Sequence, residues 1–213
     1  MTQVKICGIT NEKDALDAAK LGADFVGFLV EIYFSEDTIK REEAKDIIKM
    51  LPLEVTPVFV TYLQKAEPII GIAKEINPQV IQLHNAIELK EIGRIRKALP
   101  KVKITKSIPV ADSSAVKEAK KYEKYVDYIL LDTKGKKGRG GTGKTHDWSI
   151  SSEIVKKIKK PIFLAGGLNP GNVEEAIKTV KPFAVDVNSG VKSKARIKDY
   201  EKMKLFIERV KNQ

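Results

Sequence analysis

"QVIQLHNAIELKEIGRIRKALPKVKITKS" (residues 79–107) passes from a β-branched run through an amphipathic stretch to a second β-branched run. Residues 79–83 and 102–107 read as strands, and 87–98 as the helix between them. The same unit repeats in both directions. Strand patterns fall upstream at 3–6, 24–30 and 55–61, and downstream at 126–131, 161–165 and 183–187. Further helical patterns fall at 11–21, 40–50, 66–76, 112–124, 150–159, 170–180 and 197–211. As a set the strands are apolar on both faces, as parallel strands covered by helices are. Eight unbroken strand–helix units predict an α/β chain that forms one domain, residues 1–213, closed as a small (β/α)8 TIM barrel. An open doubly wound sheet is the alternative built from the same elements. No linker rich in Pro, Gly or Ser divides the chain. The one Gly-rich segment, "KGKKGRGGTGKT" (134–145), falls between the sixth strand and the sixth helix and reads as a loop at one end of the barrel.

Composition narrows the function classes. Hydrophobic residues make up 42% of the chain, enough for one good core. No apolar run is long enough for a membrane span, and the N-terminus lacks the pattern of a secretory leader. One cysteine, Cys7, cannot form an internal disulfide, so a reducing, cytoplasmic setting is expected. The 39 basic and 28 acidic residues give a net charge of +11, which suits nucleic acid or an anionic small molecule. The lysines are spread over nearly every helical pattern beside glutamates, as in "ELKEIGRIRK" (88–97), and read as solvated surface. Aromatics are not interleaved with a basic stripe, which argues against nucleic acid. The expected partner is a small anionic substrate, handled by a monomer or homodimer.

The C-terminal ends of the strands carry the chemistry in barrels of this kind. At that end lie Cys7 after the first strand, Gln82 and His84 at the fourth, and Asp132 at the sixth. Gly166 and Gly167 follow the seventh, Asp186 sits in the eighth, and "NSG" (188–190) follows it. Both histidines, His84 and His146, fall in loops on this face. Glycines make tight turns, but they also let backbone N–H groups approach an anion closely. "GGTG" (140–143), "AGG" (165–167) and "NSG" follow consecutive strands and together form a candidate phosphate cradle. Its candidate residues are Gly141, Thr142, Gly143, Gly166, Gly167, Ser189 and Gly190. "GRGGTGKT" (138–145) also matches the P-loop pattern. It follows the sixth strand, with no second acidic strand pattern to support a nucleotide triphosphatase, and is read as a chance match.

Cys7 and Asp132 would face each other across the mouth of such a barrel. A thiolate and a carboxylic acid in that arrangement form a general base and general acid pair, provided nearby positive charge stabilises the thiolate. Each also has a plainer reading, Cys7 as a small buried residue and Asp132 as a helix or loop cap. Asp186 lies inside an apolar strand, where a carboxylate needs a partner. It either binds a ligand or anchors Lys5 or Lys106. Gln82 and His84 are candidates for substrate contact. No His/Cys/Asp spacing suggests a metal site.

Taken together, "VKICGIT" (4–10), "GADFVGF" (22–28), "QLH" (82–84), "LLDT" (130–133), "GGTGKTHDW" (140–148), "LAGGLNPGNV" (164–173) and "VDVNSGV" (185–191) resemble the phosphoribosylanthranilate isomerase family of tryptophan biosynthesis. The resemblance runs from the first strand to the last. It implies an Amadori rearrangement of an aminoaldose 5-phosphate to a 1-amino-ketose. Cys7 would then remove the C2 proton, and Asp132 would protonate the ring oxygen and open the ring to a Schiff base. The glycines of the three turns would hold the phosphate. No cofactor is implied, because the substrate's own imine is the electron sink.

Three departures sit at the mouth. The family carries "SPR" after its second strand, with the arginine gripping the anthranilate carboxylate; here "SED" (35–37) puts Asp37 in its place. "QLHN" stands for "QLHG", and "NSGVK" for "SSGVE", bringing Asn188 and Lys192. Lys40, Arg41, Lys134, Lys136, Lys137 and Arg139 are candidates to take over the carboxylate. Asp37 also leaves two other expectations open: a paralogue that isomerises a different phosphorylated aminosugar or sugar phosphate, and a sugar-phosphate-binding protein without turnover.

Overall fold

The structure is a computed structural model that describes residues 1–133 and 145–213. Parallel strands β1 (Gln3–Cys7), β2 (Phe25–Val30), β4 (Thr56–Thr61), β5 (Val80–Leu83), β6 (Lys103–Val110), β7 (Tyr128–Thr133), β8 (Ile162–Leu164) and β9 (Ala184–Val187) form the wall. The short β3 (Thr38–Ile39) extends it beside β2. Neighbours run β1-β9-β8-β7-β6-β5-β4-β2, and β1 also pairs with β2, which closes the ring and excludes the open sheet. Helices α1 (Glu12–Lys20), α2 (Arg41–Met50), α3 (Ala66–Ile76), α4 (Leu89–Ala98), α5 (Ser114–Tyr122), α6 (Trp148–Lys157), α7 (Val173–Val180) and α8 (Tyr200–Lys211) surround it. Among the described residues no helix is long and apolar enough to cross a membrane.

Strand periodicity decides what enters the barrel. On β1, Val4 and Ile6 point outward into the layer packed by the helices, and both are fully buried. Their neighbours Lys5 and Cys7 therefore point inward. The interior has three levels. Phe25, Tyr128, Phe163 and Phe183 plug one end, with ring centroids 5.1 to 6.0 Å apart. Lys5, Gln82 and Asp186 fill the middle. The other end opens into a cavity of about 340 Å3.

The last helix begins later than the sequence pattern suggests. Asp199 accepts a hydrogen bond from the Lys202 N–H at 3.1 Å and caps α8 at Tyr200. Before it, β10 (Lys192–Lys194) and β11 (Ile197–Lys198) form an antiparallel hairpin. Tertiary contacts pin this hairpin over the mouth. Thr10 donates to the Arg196 carbonyl, Asp14 accepts from the Lys198 N–H at 2.8 Å, and Arg196 donates to the carbonyls of Glu36 and Thr38.

Candidate active site

The cavity at the C-terminal ends of the strands is lined by Cys7, Gln82, His84, Asp132, Gly166, Gly167, Asp186 and Ser189, so the fold gathers these expected site residues around one space. Gly190 lies beside it in the turn Ser189–Val191. Gly141, Thr142 and Gly143 lie outside the described residues, as do Lys134, Lys136, Lys137 and Arg139.

Lys5 organises the floor. Its ammonium is 2.7 Å from Asp186 Oδ2, 2.7 Å from Gln82 Oε1 and 3.4 Å from Cys7 Sγ. Asp186 thus anchors Lys5. Lys106 instead donates to the Ser107 carbonyl, with burial lowering its pKa to about 8. Burial disfavours the Lys5 ammonium, but Asp186 and Cys7 outweigh it, and Lys5 stays charged. Burial pushes the Cys7 thiol up to about 11, while Lys5 pulls it down, Asp186 adds to the rise and Lys198 opposes it. Burial likewise raises Asp186 against the pull of Lys5. The thiol therefore sits beside a cation that can stabilise its anion at close range.

Gln82 carries the network upward. Its Oε1 accepts from Lys5, so its Nε2 faces His84 Nδ1 at 3.2 Å and donates to it. His84 Nε2 then carries the ring hydrogen and points at Asp132 Oδ2, 3.5 Å away. The Tyr62 and His84 rings lie 4.7 Å apart, tilted by 31°, and Phe34 meets Tyr62 edge to face at 4.9 Å, making an aromatic wall.

The turns after β8 and β9 are shaped by what a side chain would collide with. Gly166 and Gly167 have φ of +89° and +69°, which glycine adopts without strain. A Cβ on Gly166 would lie 2.2 Å from Thr133 Oγ1, and one on Gly190 would lie 2.0 Å from the Leu168 carbonyl oxygen. Asn172 and Asn169 donate to the Gly167 carbonyl at 3.0 and 3.3 Å and hold the first turn in place. Among the described residues, no acceptor is paired with the N–H of Gly166 or Gly167. The second histidine, His146, spans Thr133 at 2.9 Å and Ser151 at 2.6 Å, and burial lowers its pKa. It braces β7 against α6. Among the described residues, no group of three or more His, Cys, Asp or Glu could hold a metal ion.

Asp37 is buried at 2% exposure and does not stand bare in the cavity. Its Oδ2 accepts from Lys192 Nζ at 2.6 Å and from Asn188 Nδ2 at 2.9 Å. Lys198 in turn donates to Asn188 Oδ1 at 2.7 Å. Arg41 cannot replace the missing arginine, because its guanidinium holds Glu31 through two bonds of 2.7 and 2.9 Å and also meets Glu75. The sequence reading missed the part played by Lys5 beside the thiol, and missed Tyr62, Phe34 and Lys198 altogether. For Lys5 a signal existed, since alternation along "VKIC" puts it on the face of Cys7.

The model of the family described as N-(5'phosphoribosyl)anthranilate (PRA) isomerase matches residues 4–209. An N-(5'-phosphoribosyl)anthranilate isomerase of Methanocella arvoryzae is 40% identical over 211 residues, covering 99% of each chain. A phosphoribosyl anthranilate isomerase from Thermotoga maritima superposes with a TM-score of 0.91 at 37% identity over all of both chains. A second solved isomerase, in complex with reduced 1-(o-carboxyphenylamino)-1-deoxyribulose 5-phosphate, superposes over all of both chains at 0.87 and 34% identity. The chain belongs to the phosphoribosylanthranilate isomerase family.

Proposed function

We propose that the cavity converts N-(5-phosphoribosyl)anthranilate to 1-(o-carboxyphenylamino)-1-deoxyribulose 5-phosphate, with Cys7 as general base and Asp132 as general acid. The observation that carries this reading is the Cys7 thiol beside the Lys5 ammonium in a cavity that Asp132 also lines. Asp132 gives a proton to the ring oxygen, the C1–O bond breaks, and the nitrogen lone pair forms the C1=N imine. Cys7 takes the C2 proton, and the electron pair moves into the C1–C2 bond to give an enaminol. A proton added at C1 and one lost from the C2 hydroxyl complete the ketone. C1 is reduced and C2 oxidised within one molecule, so no external redox partner takes part. Lys5 stabilises the thiolate, Gln82 and Asp186 hold Lys5, and His84 orients Asp132. Gly166, Gly167, Ser189 and Gly190 offer backbone N–H groups to the phosphate. The two readings opened by Asp37 lose their motive, because its charge is engaged by Lys192 rather than turned on a ligand.

Loss of anthranilate fluorescence follows turnover directly. Wild-type protein is expected to turn over, and Cys7→Ser and Asp132→Asn to fall by roughly 100-fold or more, the scale of general acid–base catalysis. kcat/KM should climb with pH above neutrality, because the thiolate of a group at about 11 grows with pH. The climb should ease above about 8, where Lys198 loses its charge and its pull on Cys7. A Cys7→Ser variant with wild-type turnover would overturn the assignment of the base.

A further inference from the structure

We infer that Lys192 binds the substrate's aryl carboxylate, and that Glu36 holds its place on Lys192 until the substrate displaces it. This rests on the isomerase reading, which gives the substrate two anionic ends. The phosphate end is matched by the glycine turns after β8 and β9. The carboxylate end needs a cation, and among the described residues Lys192 is the only lysine or arginine lining the cavity. Lys5 lies below the floor, held by Asp186 and Gln82, and Lys198 is committed to Asn188.

Position separates the two ends. The backbone at Gly190 packs against Leu168 and Asn169 in the turn after β8. Two residues on, the Lys192 side chain reaches Glu36 and Asp37 in the loop after β2. Phe34 belongs to the same loop and meets Tyr62, and Phe34, Tyr62 and Lys192 line one cavity, so a benzoate ring lying on the aromatic wall shares that space with the ammonium.

The ammonium has three N–H groups. Asp37 Oδ2 and Glu36 Oε1 each lie 2.6 Å from Lys192 Nζ. The two partners differ in kind. The Asp37 side chain is 3% exposed, is held by Asn188 as well, and fixes the lysine in place. The Glu36 side chain is 59% exposed, and an ion pair so open to water contributes little. A substrate carboxylate taking the place of Glu36 leaves the local charge balance unchanged and gains a contact shielded by the ring that carries it. Asp37, Asn188 and Lys192, three separate oddities along the chain, are thus one bonded unit.

The test compares KM for N-(5-phosphoribosyl)anthranilate with KM for its analogue lacking the carboxylate, N-(5-phosphoribosyl)aniline. In Lys192→Met, KM for the first should rise by about 10- to 100-fold, the scale of a charged hydrogen bond, with the second unchanged. Lys192→Arg should keep the discrimination, and Glu36→Ala should leave KM for the carboxylated substrate equal or lower. Should Lys192→Met fail to fold, Lys192→Gln keeps a donor for Asp37 and makes the same test. A Lys192 variant that still discriminates as wild type does overturns the inference. A wild type that turns over both substrates alike overturns it alone, whereas a folded wild type that turns over neither overturns the isomerase reading and this inference with it.

Discussion

Gly27 shows how closely one residue governs the surroundings of the Cys7 thiol. It lies opposite Cys7 in the β1–β2 register, and a Cβ there would sit 2.8 Å from Cys7 Sγ and 3.1 Å from Lys5 Cε. The space for the Cys7 thiol and the Lys5 side chain exists because β2 has no side chain at that point. Gly27→Ala should cost about 1–3 kcal/mol of stability through overpacking. Turnover should fall by roughly 100-fold, since a shift near 1 Å at a reacting group is worth that much. Urea unfolding and kcat read the two effects separately; unchanged kcat would mean that the thiol relocates without penalty. The residue types of the site were legible in "KICGIT" and "LLDT", because strand ends in a barrel place chemistry at one face. Gly27 was not legible, since a glycine within a strand reads only as a weak strand former until the facing strand is known.

At the scale of the element, helices are tied by carboxylates that look like surface charge in the sequence. Glu91 in α4, one of the charges of "ELKEIGRIRK", is 2% exposed. It accepts the Ala66 N–H at 2.8 Å and so caps α3, whose own N-cap residue, Lys65, makes no side-chain bond. Glu123, just past α5, accepts the Lys159 N–H at 2.6 Å and ties down the chain where it leaves α6. Glu91→Ala should therefore lose about 1–3 kcal/mol, the penalty for stranding a buried donor, with Glu91→Gln losing less. Urea denaturation with an unchanged m-value would check this, and a loss below about 0.5 kcal/mol would mean that water replaces the cap. Helix positions came through within a few residues because 3.6-residue periodicity is local. The hairpin Lys192–Lys198 did not, because "KSKARIK" carries no turn signal and is shaped by Thr10, Asp14 and the loop after β2.

Across the whole molecule, stability and activity pull in different directions at the barrel centre. Lys5 and Asp186 are 1% and 8% exposed, and Asp186 Oδ1 is buried with no hydrogen-bond partner. A buried pair of this kind often adds nothing over apolar residues of similar size, but breaking it leaves one charge stranded. Lys5→Met should lose about 3–5 kcal/mol, whereas Lys5→Met with Asp186→Leu should return close to wild-type stability. Both variants should be inactive, because Cys7 has lost its cation. Unfolding free energies beside fluorescence turnover test this, and a double variant as unstable as the single one would make the pair structural. The positive charge spread over the surface meets neighbours of opposite sign on the same helices, as Lys13 with Asp17 and Lys157 with Glu153.

By itself the sequence determined the barrel, the face on which the cavity opens, and which residue types stand at the strand ends around it. Each of these follows from local periodicity or from residue type at a strand end, and none needs a distant partner to be known; the roles of Cys7 and Asp132 as base and acid come instead from the family resemblance. Tertiary structure alone decided what surrounds them: that Gln82 and His84 link the floor to Asp132, and that Asp37, Asn188 and Lys192 form one bonded set. Asp37 and Lys192 lie far apart along the chain yet meet at 2.6 Å, because closing the barrel between β1 and β2 brings the loops after β2 and β9 together. A charge reads as repulsive or attractive only once its neighbours across that closure are in place.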